Sequence, residues 1–174
     1  MYIDCRGRGS PTVVLDAGLG VDAGSTWARV QPPVSRITGS AGTTAAGWAA
    51  ATRAPSRGPA CAWWTSCARS SALERNGEGV TYADLLASDA QVSSAGPLPP
   101  VRMVVLRHGV SFDPGGEPDP RVERLWTALQ KELAARSPLG RYVRVPGSHH
   151  RIAEDRPAAV VDAIEEVIDA ARSS

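Results

Sequence analysis

Hydrophobic residues along this chain follow two patterns, short aliphatic runs and longer helical stripes. Residues 12–15, 101–106 and 141–145 are short runs bounded by Gly or Pro, which is typical of buried strands. Two later segments carry apolar side chains every three or four residues, as one face of a helix does. Those positions are Val122, Leu125, Trp126, Leu129 and Leu133 in one segment, and Val160, Val161, Ile164, Val167 and Ile168 in the other. Strand, loop and helix in this order predict an α/β fold with a parallel sheet and flanking helices.

Each helical stripe is expected to face inward, because an apolar face gains free energy only where other residues cover it. The last helix is expected to begin near Pro157, since proline is favoured in a first turn. Shorter helices are predicted over residues 25–34 and 81–86. In the first of these, Pro32 and Pro33 should end the helix early, because proline donates no backbone hydrogen bond.

The segment 39–73 follows neither pattern. Its thirty-five residues are mostly Ala, Gly, Ser, Thr and Arg, without Asp or Glu, yet they include three of the five tryptophans and two of the three cysteines. Neither a surface helix nor a linker usually has this composition. We therefore divide the chain into an N-terminal segment (1–38), an irregular segment expected to be the most mobile (39–73), and a C-terminal segment of strands and helices (74–174).

Composition and charge narrow the class of partner. Nineteen basic and eighteen acidic side chains among 174 residues leave a formal net charge of +1, so no overall field favours nucleic acid or an anionic membrane. No apolar run is long enough to span a bilayer and the first ten residues do not resemble a secretory signal, which predicts a cytoplasmic protein. Cys5, Cys61 and Cys67 form no Cys-x-x-Cys pair, so we expect free thiols, no metal site and no cofactor.

A glycine loop, residues 18–24, follows the first predicted strand, as a dinucleotide-binding fingerprint would. Its third glycine comes one residue too late, and no acidic residue lies about twenty positions further on to bind a ribose. A nicotinamide-dependent oxidoreductase is therefore a remote alternative. The loop is either a tight turn between strand and helix or a source of backbone amides for an oxyanion, as in acyl-transfer enzymes.

His149 and His150 follow the third predicted strand, at the sheet edge where α/β proteins hold reactive groups. Adjacent histidines usually point apart, so the pair is a poor metal site, and a solvated loop pair is the alternative interpretation. His108, at the end of the second strand, is predicted to be structural. Three acids after that strand are candidates to orient an imidazole: Asp113, Glu117 and Asp119.

Several stretches resemble bacterial α/β-hydrolase fold proteins. The first two resemble that family's opening strand and the loop that supplies an oxyanion amide, and the others resemble its last strands and final helix. Together they cover somewhat over half of the chain, and they are specific in combination. The stretches are residues 9–20, 26–31, 98–106, Trp126 with 129–130, 147–152 and 155–164.

The resemblance implies a Ser-His-Asp hydrolase acting on a small ester or related acyl substrate. In the family pattern the catalytic histidine lies seven residues before a proline, which selects His150 ahead of Pro157. The same resemblance assigns the oxyanion amide to Leu19 and the triad acid to Asp113, with Asp119 as the alternative acid.

The chain departs from the family at the nucleophile. The family places its serine in Gly-x-Ser-x-Gly, on a sharp turn between a strand and a helix, because small residues allow the strained backbone. This sequence has no such motif, and its nearest approaches, around Ser40 and Ser111, each lack one glycine. The expected fold is therefore a partial α/β-hydrolase-like parallel sheet whose central strands are missing and whose apolar strand edges are exposed.

A shifted reading frame accounts for the irregular segment. Arginine outnumbers lysine by eighteen to one, which indicates GC-rich codons. Such codons, read in a neighbouring frame over residues 39–52 and 63–71, can give a strand and a helix of the kind that the family places there. We therefore interpret the chain as a frame-disrupted, internally deleted hydrolase that lacks activity. The alternative is a non-catalytic α/β scaffold or interaction protein.

Overall fold

The computed structural model describes residues 2–18, 22–44, 98–110 and 119–174, with the isolated positions 87, 90, 91, 94 and 96. Strands and helices are mixed, so the protein is α/β, as the sequence predicts. The helix predicted over residues 81–86 lies outside the described residues. The elements are β1 (Tyr2–Arg6), β2 (Val13–Asp16), α1 (Ala23–Thr26), α2 (Gln31–Ile37), β3 (Ser40–Thr44), β4 (Met103–His108), α3 (Pro120–Ala135), β5 (Gly140–Val145), α4 (Ile152–Asp155) and α5 (Pro157–Arg172).

The first sheet has three strands in the order β1, β3, β2. Strand β3 is antiparallel to β1, with Arg6 opposite Ser40, and parallel to β2, with Val13 opposite Ser40. The sequence pattern gave no sign of β1, and β3 falls within the segment expected to be irregular. Regular structure therefore continues past residue 38 to Thr44, while residues 45–73 lie outside the described part of the chain.

Small side chains explain how β3 becomes the central strand. Ser40 and Ala41 are at most 1% exposed. A Cβ atom added to Gly42 would lie 3.4 Å from Gln31 Oε1 and 3.7 Å from Ala23 Cβ, so α1 and α2 approach the strand closely. The strand is buried because its small side chains let the helices pack closely against it, so hydrophobic alternation cannot reveal it.

The second sheet pairs β4 with β5 in parallel, in a register from Met103 opposite Gly140 to His108 opposite Val145. Helix α3 makes the crossover that a parallel pair requires. The described strands thus form two small sheets with one antiparallel pair, where the sequence pattern predicts one parallel sheet.

Helix α2 begins at Gln31, so Pro32 and Pro33 occupy its first turn. The expectation that these prolines end a helix is wrong, because first-turn N–H groups have no acceptor within the helix and proline loses nothing there. Val30 and Val34 are fully buried. Val30 comes just before α2 and Val34 lies within it, so the segment 25–34 forms the end of α1, a turn and the start of α2, and not one continuous helix.

Helix α3 packs by the face opposite to the one expected. Its apolar stripe is 40–62% exposed, so the prediction of an inward stripe is wrong. Glu123 lies on the packed face, where it ion-pairs with Arg107 and its Oε1 lies 3.3 Å from His108 Nε2; Arg107 and His108 are 7% and 5% exposed. A buried cation without a counter-charge is very costly, so Glu123 is needed on the face of α3 that meets β4. The stripe consists of Val122, Leu125, Trp126, Leu129 and Leu133.

Helix α5 begins at the predicted Pro157 and joins the two sheets, because it contacts both α2 and β4. Ala163 and Ile168 are its buried residues. At its end, Arg172 Nε donates to the Ser10 carbonyl at 3.0 Å, and Arg172 Nη2 donates to the Ile37 carbonyl at 3.1 Å. None of the described helices is long and apolar enough to cross a membrane.

Cys5, on β1, is disulfide-bonded, so the expectation of free thiols is wrong for this residue. The other two cysteines, Cys61 and Cys67, lie outside the described residues. A disulfide requires two cysteines that are close in space, and spacing along the sequence cannot show that.

Candidate functional site

Two cavities meet at the carboxyl end of β2. The first, of about 560 Å³, is lined mainly by aliphatic residues of β2, β4 and α5, and we call it the apolar chamber. The second, of about 690 Å³, contains more polar groups, and we call it the polar chamber. The residues that line both chambers are Asp16, Trp27, Leu106 and Val160. The polar chamber adds Gly18, Thr26 and residues 150–154.

The first sheet brings Asp16 and Trp27 to this site. Asp16 ends β2, and its Oδ1 accepts a hydrogen bond from Thr43 Oγ1 at 2.6 Å. Trp27 follows α1, whose N-cap Asp22 accepts from the Ser25 backbone N–H at 2.9 Å and from Ser25 Oγ at 2.5 Å. Both hydrogen bonds favour the charged carboxylate and hold the pKa of Asp22 below its usual value, and the bond from the Ser25 hydroxyl is the larger cause.

The second sheet brings His150 to the polar chamber. The chain after β5 turns at Gly147, where φ is +67°, and continues to the fully buried Ser148. Ser148 Oγ donates to the Val145 carbonyl at 2.8 Å, and the Ser148 carbonyl accepts from the Gly109 N–H at 3.0 Å. The loops after β4 and β5 are therefore fixed to each other just before His150.

His149 is bound by Asp155 and lines neither chamber. Its backbone N–H donates to Asp155 Oδ2 at 2.6 Å, and its ring Nδ1 lies 3.1 Å from the same oxygen. The pKa of Asp155 is lowered, with that backbone N–H as the largest cause. The two adjacent histidines thus have different surroundings, and only His150 lines the polar chamber.

The glycine loop and the histidine loop meet at the polar chamber, since Gly18 and His150 both line it. Leu19, Asp113 and Glu117 lie outside the described residues. The predicted roles of Leu19 as oxyanion donor and of Asp113 as triad acid therefore stay predictions, as does the role of His150 as catalytic base.

Two other predicted candidates have structural partners. Asp119 is the N-cap of α3, and its Oδ1 accepts from the Arg121 N–H at 2.7 Å. Ser40 is fully buried in β3, and its Oγ donates to the Arg6 carbonyl at 3.4 Å. A substrate cannot reach Ser40 there, and Ser111 lies outside the described residues.

His108 lies beside a buried ion pair and lines neither chamber. Its Nε2 lies 3.3 Å from Glu123 Oε1, and Glu123 Oε2 pairs with Arg107. The three side chains are 6%, 13% and 8% exposed, in that order. The cluster holds α3 against β4, in agreement with the structural role expected for His108.

Two residues that line the polar chamber each have a polar atom that is buried away from it and has no hydrogen-bond partner among the described residues; these atoms are Thr26 Oγ1 and Trp27 Nε1. Leaving such a group unsatisfied costs about 1–3 kcal/mol. Sequence reasoning missed both residues as functional candidates, because they lie in the segment 25–34, which the sequence predicts only as a short helix. Their unpaired state arises from packing and has no signal in the sequence.

The arrangement offers an imidazole at His150 and a carboxylate at Asp16 beside an apolar cavity. These groups suit a small molecule with a polar end. Among the described residues, no group of three or more His, Cys, Asp and Glu side chains is placed to hold a metal ion. The sequence matches no family model, and comparisons with curated proteins and with solved structures find no match.

Proposed function

We propose that this chain is a relative of the α/β-hydrolases that keeps the glycine loop and the histidine loop of the site but lacks the nucleophile. The parent activity is hydrolysis of a small ester or related acyl compound by Ser-His-Asp chemistry. In that chemistry His150 accepts the serine proton, Asp113 orients the imidazole, and the Leu19 N–H binds the oxyanion. The chain itself does not turn over substrate.

One observation carries this proposal, the meeting of two loops that are far apart in the sequence. Gly18, the neighbour of Leu19, and His150 line the same cavity. In α/β-hydrolases one oxyanion N–H comes from a loop after an early strand, and the catalytic histidine comes last in the chain. The shared cavity supports this assignment because both loops must reach one substrate.

Two unpaired strand edges support the loss of central strands. Among the described strands, β2 pairs only with β3, and β4 only with β5. Residues 12–16 all line the apolar chamber, so an edge of β2 borders it, since one face would contribute alternate residues only. The resemblance implies that the intact family has its nucleophile strand in the interior of the sheet.

The absence of Gly-x-Ser-x-Gly from the sequence supports the loss of activity. In triad enzymes the serine and its base act as a unit, and removal of the serine alone forfeits about 10⁶ in rate. Loss of the turn also removes one oxyanion donor, which contributes roughly 2.7–4 kcal/mol. Neither His150 nor the glycine loop replaces these two groups.

Labelling with a fluorophosphonate probe, followed by peptide mapping, tests the predicted inactivity. We expect no stoichiometric labelling, and we expect hydrolysis of an activated ester at the same rate as in a His150→Ala variant. His149→Ala is the matched control, because His149 lies in the same loop but lines neither chamber. Stoichiometric labelling of one serine, abolished by His150→Ala and kept in His149→Ala, would show a working nucleophile and refute the inactivity.

The nucleotide sequence across codons 37–80 tests the family assignment independently of activity. We expect a neighbouring frame that encodes a strand and loop after Thr38, and a nearby segment that encodes Gly-x-Ser-x-Gly. An intact frame without such a segment nearby would contradict the deletion.

A second candidate function is a non-catalytic interaction protein, and the exposed stripe of α3 favours it. Contiguous exposed apolar side chains are often interaction sites. The two candidates differ in the residues on which they depend. Replacement of Leu125 by Gln should abolish binding of a defined partner if this candidate is right, whereas His150→Ala should leave that binding unchanged.

A further inference from the structure

Helix α3 carries an apolar stripe that is open to solvent. Glu123 and Ala134 lie on the face that packs against β4 and β5, whereas the five residues of the stripe are 40–62% exposed. Together these five expose on the order of 450 Å² of surface, close to the apolar share of the roughly 800 Å² that each partner gives to a standard interface. The stripe is therefore large enough to be the core of a dimer interface.

Two charged residues flank the stripe, Arg121 near its beginning and Glu132 near its end. Their positions differ by eleven residues, which is almost three helical turns, so both lie on the same side of the stripe, about 16 Å apart along the helix. Both are exposed, and neither side chain has an ion-pair partner among the described residues. The stripe therefore has an unpaired positive charge at one end and an unpaired negative charge at the other.

A second copy of the chain matches this pattern when the two helices run antiparallel. A two-fold axis midway between Arg121 and Glu132 sets each arginine against the glutamate of the other copy, which gives two ion pairs. The midpoint lies beside Trp126, so the axis brings the two indoles together at the centre of the interface, where aromatic side chains contribute most to binding. Parallel helices would instead set arginine against arginine and glutamate against glutamate.

We propose that the stripe is the interface of a homodimer, in which two α3 helices pack antiparallel across a two-fold axis at Trp126. This inference deepens the interaction-protein candidate by naming a second copy as the partner. Its failure would leave the hydrolase ancestry untouched, because neither the glycine loop nor His150 takes part. One pair of helices makes a small interface, so we expect a dissociation constant of about 10–100 µM. At about 2 µM, a concentration suited to circular dichroism, the chain is then largely monomeric, and stripe substitutions leave its free energy of unfolding unchanged.

Sedimentation equilibrium of the full chain between about 2 and 500 µM tests the dimer. We expect a reversible equilibrium that stops at two copies, because a two-fold interface is fully used in a dimer. Leu125→Gln and Trp126→Ala should each raise the dissociation constant at least about tenfold. Val14→Gln is the matched control, because Val14 is 41% exposed but lies on β2. A chain that stays monomeric, assembly beyond two copies, or a folded stripe variant that dimerises normally overturns the proposal.

Charge reversal tests the antiparallel orientation. Arg121→Glu or Glu132→Arg alone sets like charges against each other at both ends of the interface, and each should weaken the dimer about fivefold at low salt. The double variant restores both ion pairs with their signs exchanged, so it should dimerise as tightly as the original chain. Both substitutions keep α3 folded, because the helix dipole favours an acid in the first turn and a base in the last. Single variants that dimerise normally, or a double variant that does not recover, overturn the antiparallel pairing.

Discussion

Replacement of Glu123 by Gln tests how strongly the buried ion pair holds α3 against β4. Glu123 ion-pairs with Arg107, and the two side chains are 13% and 8% exposed. The substitution leaves a buried guanidinium without its counter-charge, and loss of one partner from a buried pair costs about 3–5 kcal/mol. Since a domain of this kind has a free energy of unfolding of about 5–15 kcal/mol, we expect a loss on the order of a third of its stability.

Urea unfolding at pH 7, followed by circular dichroism, measures this loss, and Glu166→Gln is the matched control. Glu166 pairs with Arg141 at the surface, where their side chains are 30% and 50% exposed. Such a pair contributes about 0–1 kcal/mol. We expect a clear fall in the urea midpoint for Glu123→Gln and little change for Glu166→Gln. Equal losses below about 1 kcal/mol would refute the argument that the buried pair stabilises the contact between α3 and β4.

Three further substitutions have defined outcomes in the same unfolding assay. Leu125→Gln should change the free energy of unfolding by less than about 0.5 kcal/mol, because the residue is 62% exposed; a loss above about 2 kcal/mol would mean that the stripe is covered. Gly147→Ala should lower the free energy of unfolding by about 1 kcal/mol or more, because φ is +67° and the added Cβ would meet the Arg156 side chain. Gly96→Ala is the neutral control, because the space around Gly96 is open. Equal stabilities of these two glycine variants would contradict the strain argument. Asp155→Asn should destabilise the protein more at pH 6 than at pH 2. The pKa of Asp155 is lower in the folded state than its unfolded value near 3.8, so the carboxylate stabilises the fold above that value, and this stability is lost as the pH falls through the folded pKa. An equal effect at both pH values would contradict the linkage.

Periodicity in the sequence located the strands that are buried through large aliphatic side chains. Strands β2, β4 and β5 lie within two residues of the runs predicted at 12–15, 101–106 and 141–145. Strand β3 could not be found in this way, because Ser-Ala-Gly-Thr-Thr has no alternation and is buried through close approach of two helices. The periodicity located helix α3 but not the face by which it packs, because that face carries Glu123, whose partner Arg107 lies on β4.

The candidate site was predictable where it follows directly from a strand end. His150 could be placed at the carboxyl edge of a sheet because it comes just after a recognisable strand. Thr26 and Trp27 could not, because their unpaired atoms are a property of the packed structure. The hydrogen bond between His149 and Asp155 could not be predicted either, because the turn between β5 and α5 brings the two residues together.

The candidate site depends on contacts between the two sheets as much as on either sheet. The first sheet supplies Asp16, and the loop after the second supplies His150. Between them, Arg29 Nη1 donates to the Glu154 carbonyl at 2.9 Å, and Arg172 bonds to two carbonyls beside the first sheet. Each such hydrogen bond contributes only about 0.5–1.5 kcal/mol. The relative placement of the two sheets at the candidate site therefore depends in part on hydrogen bonds that are individually weak.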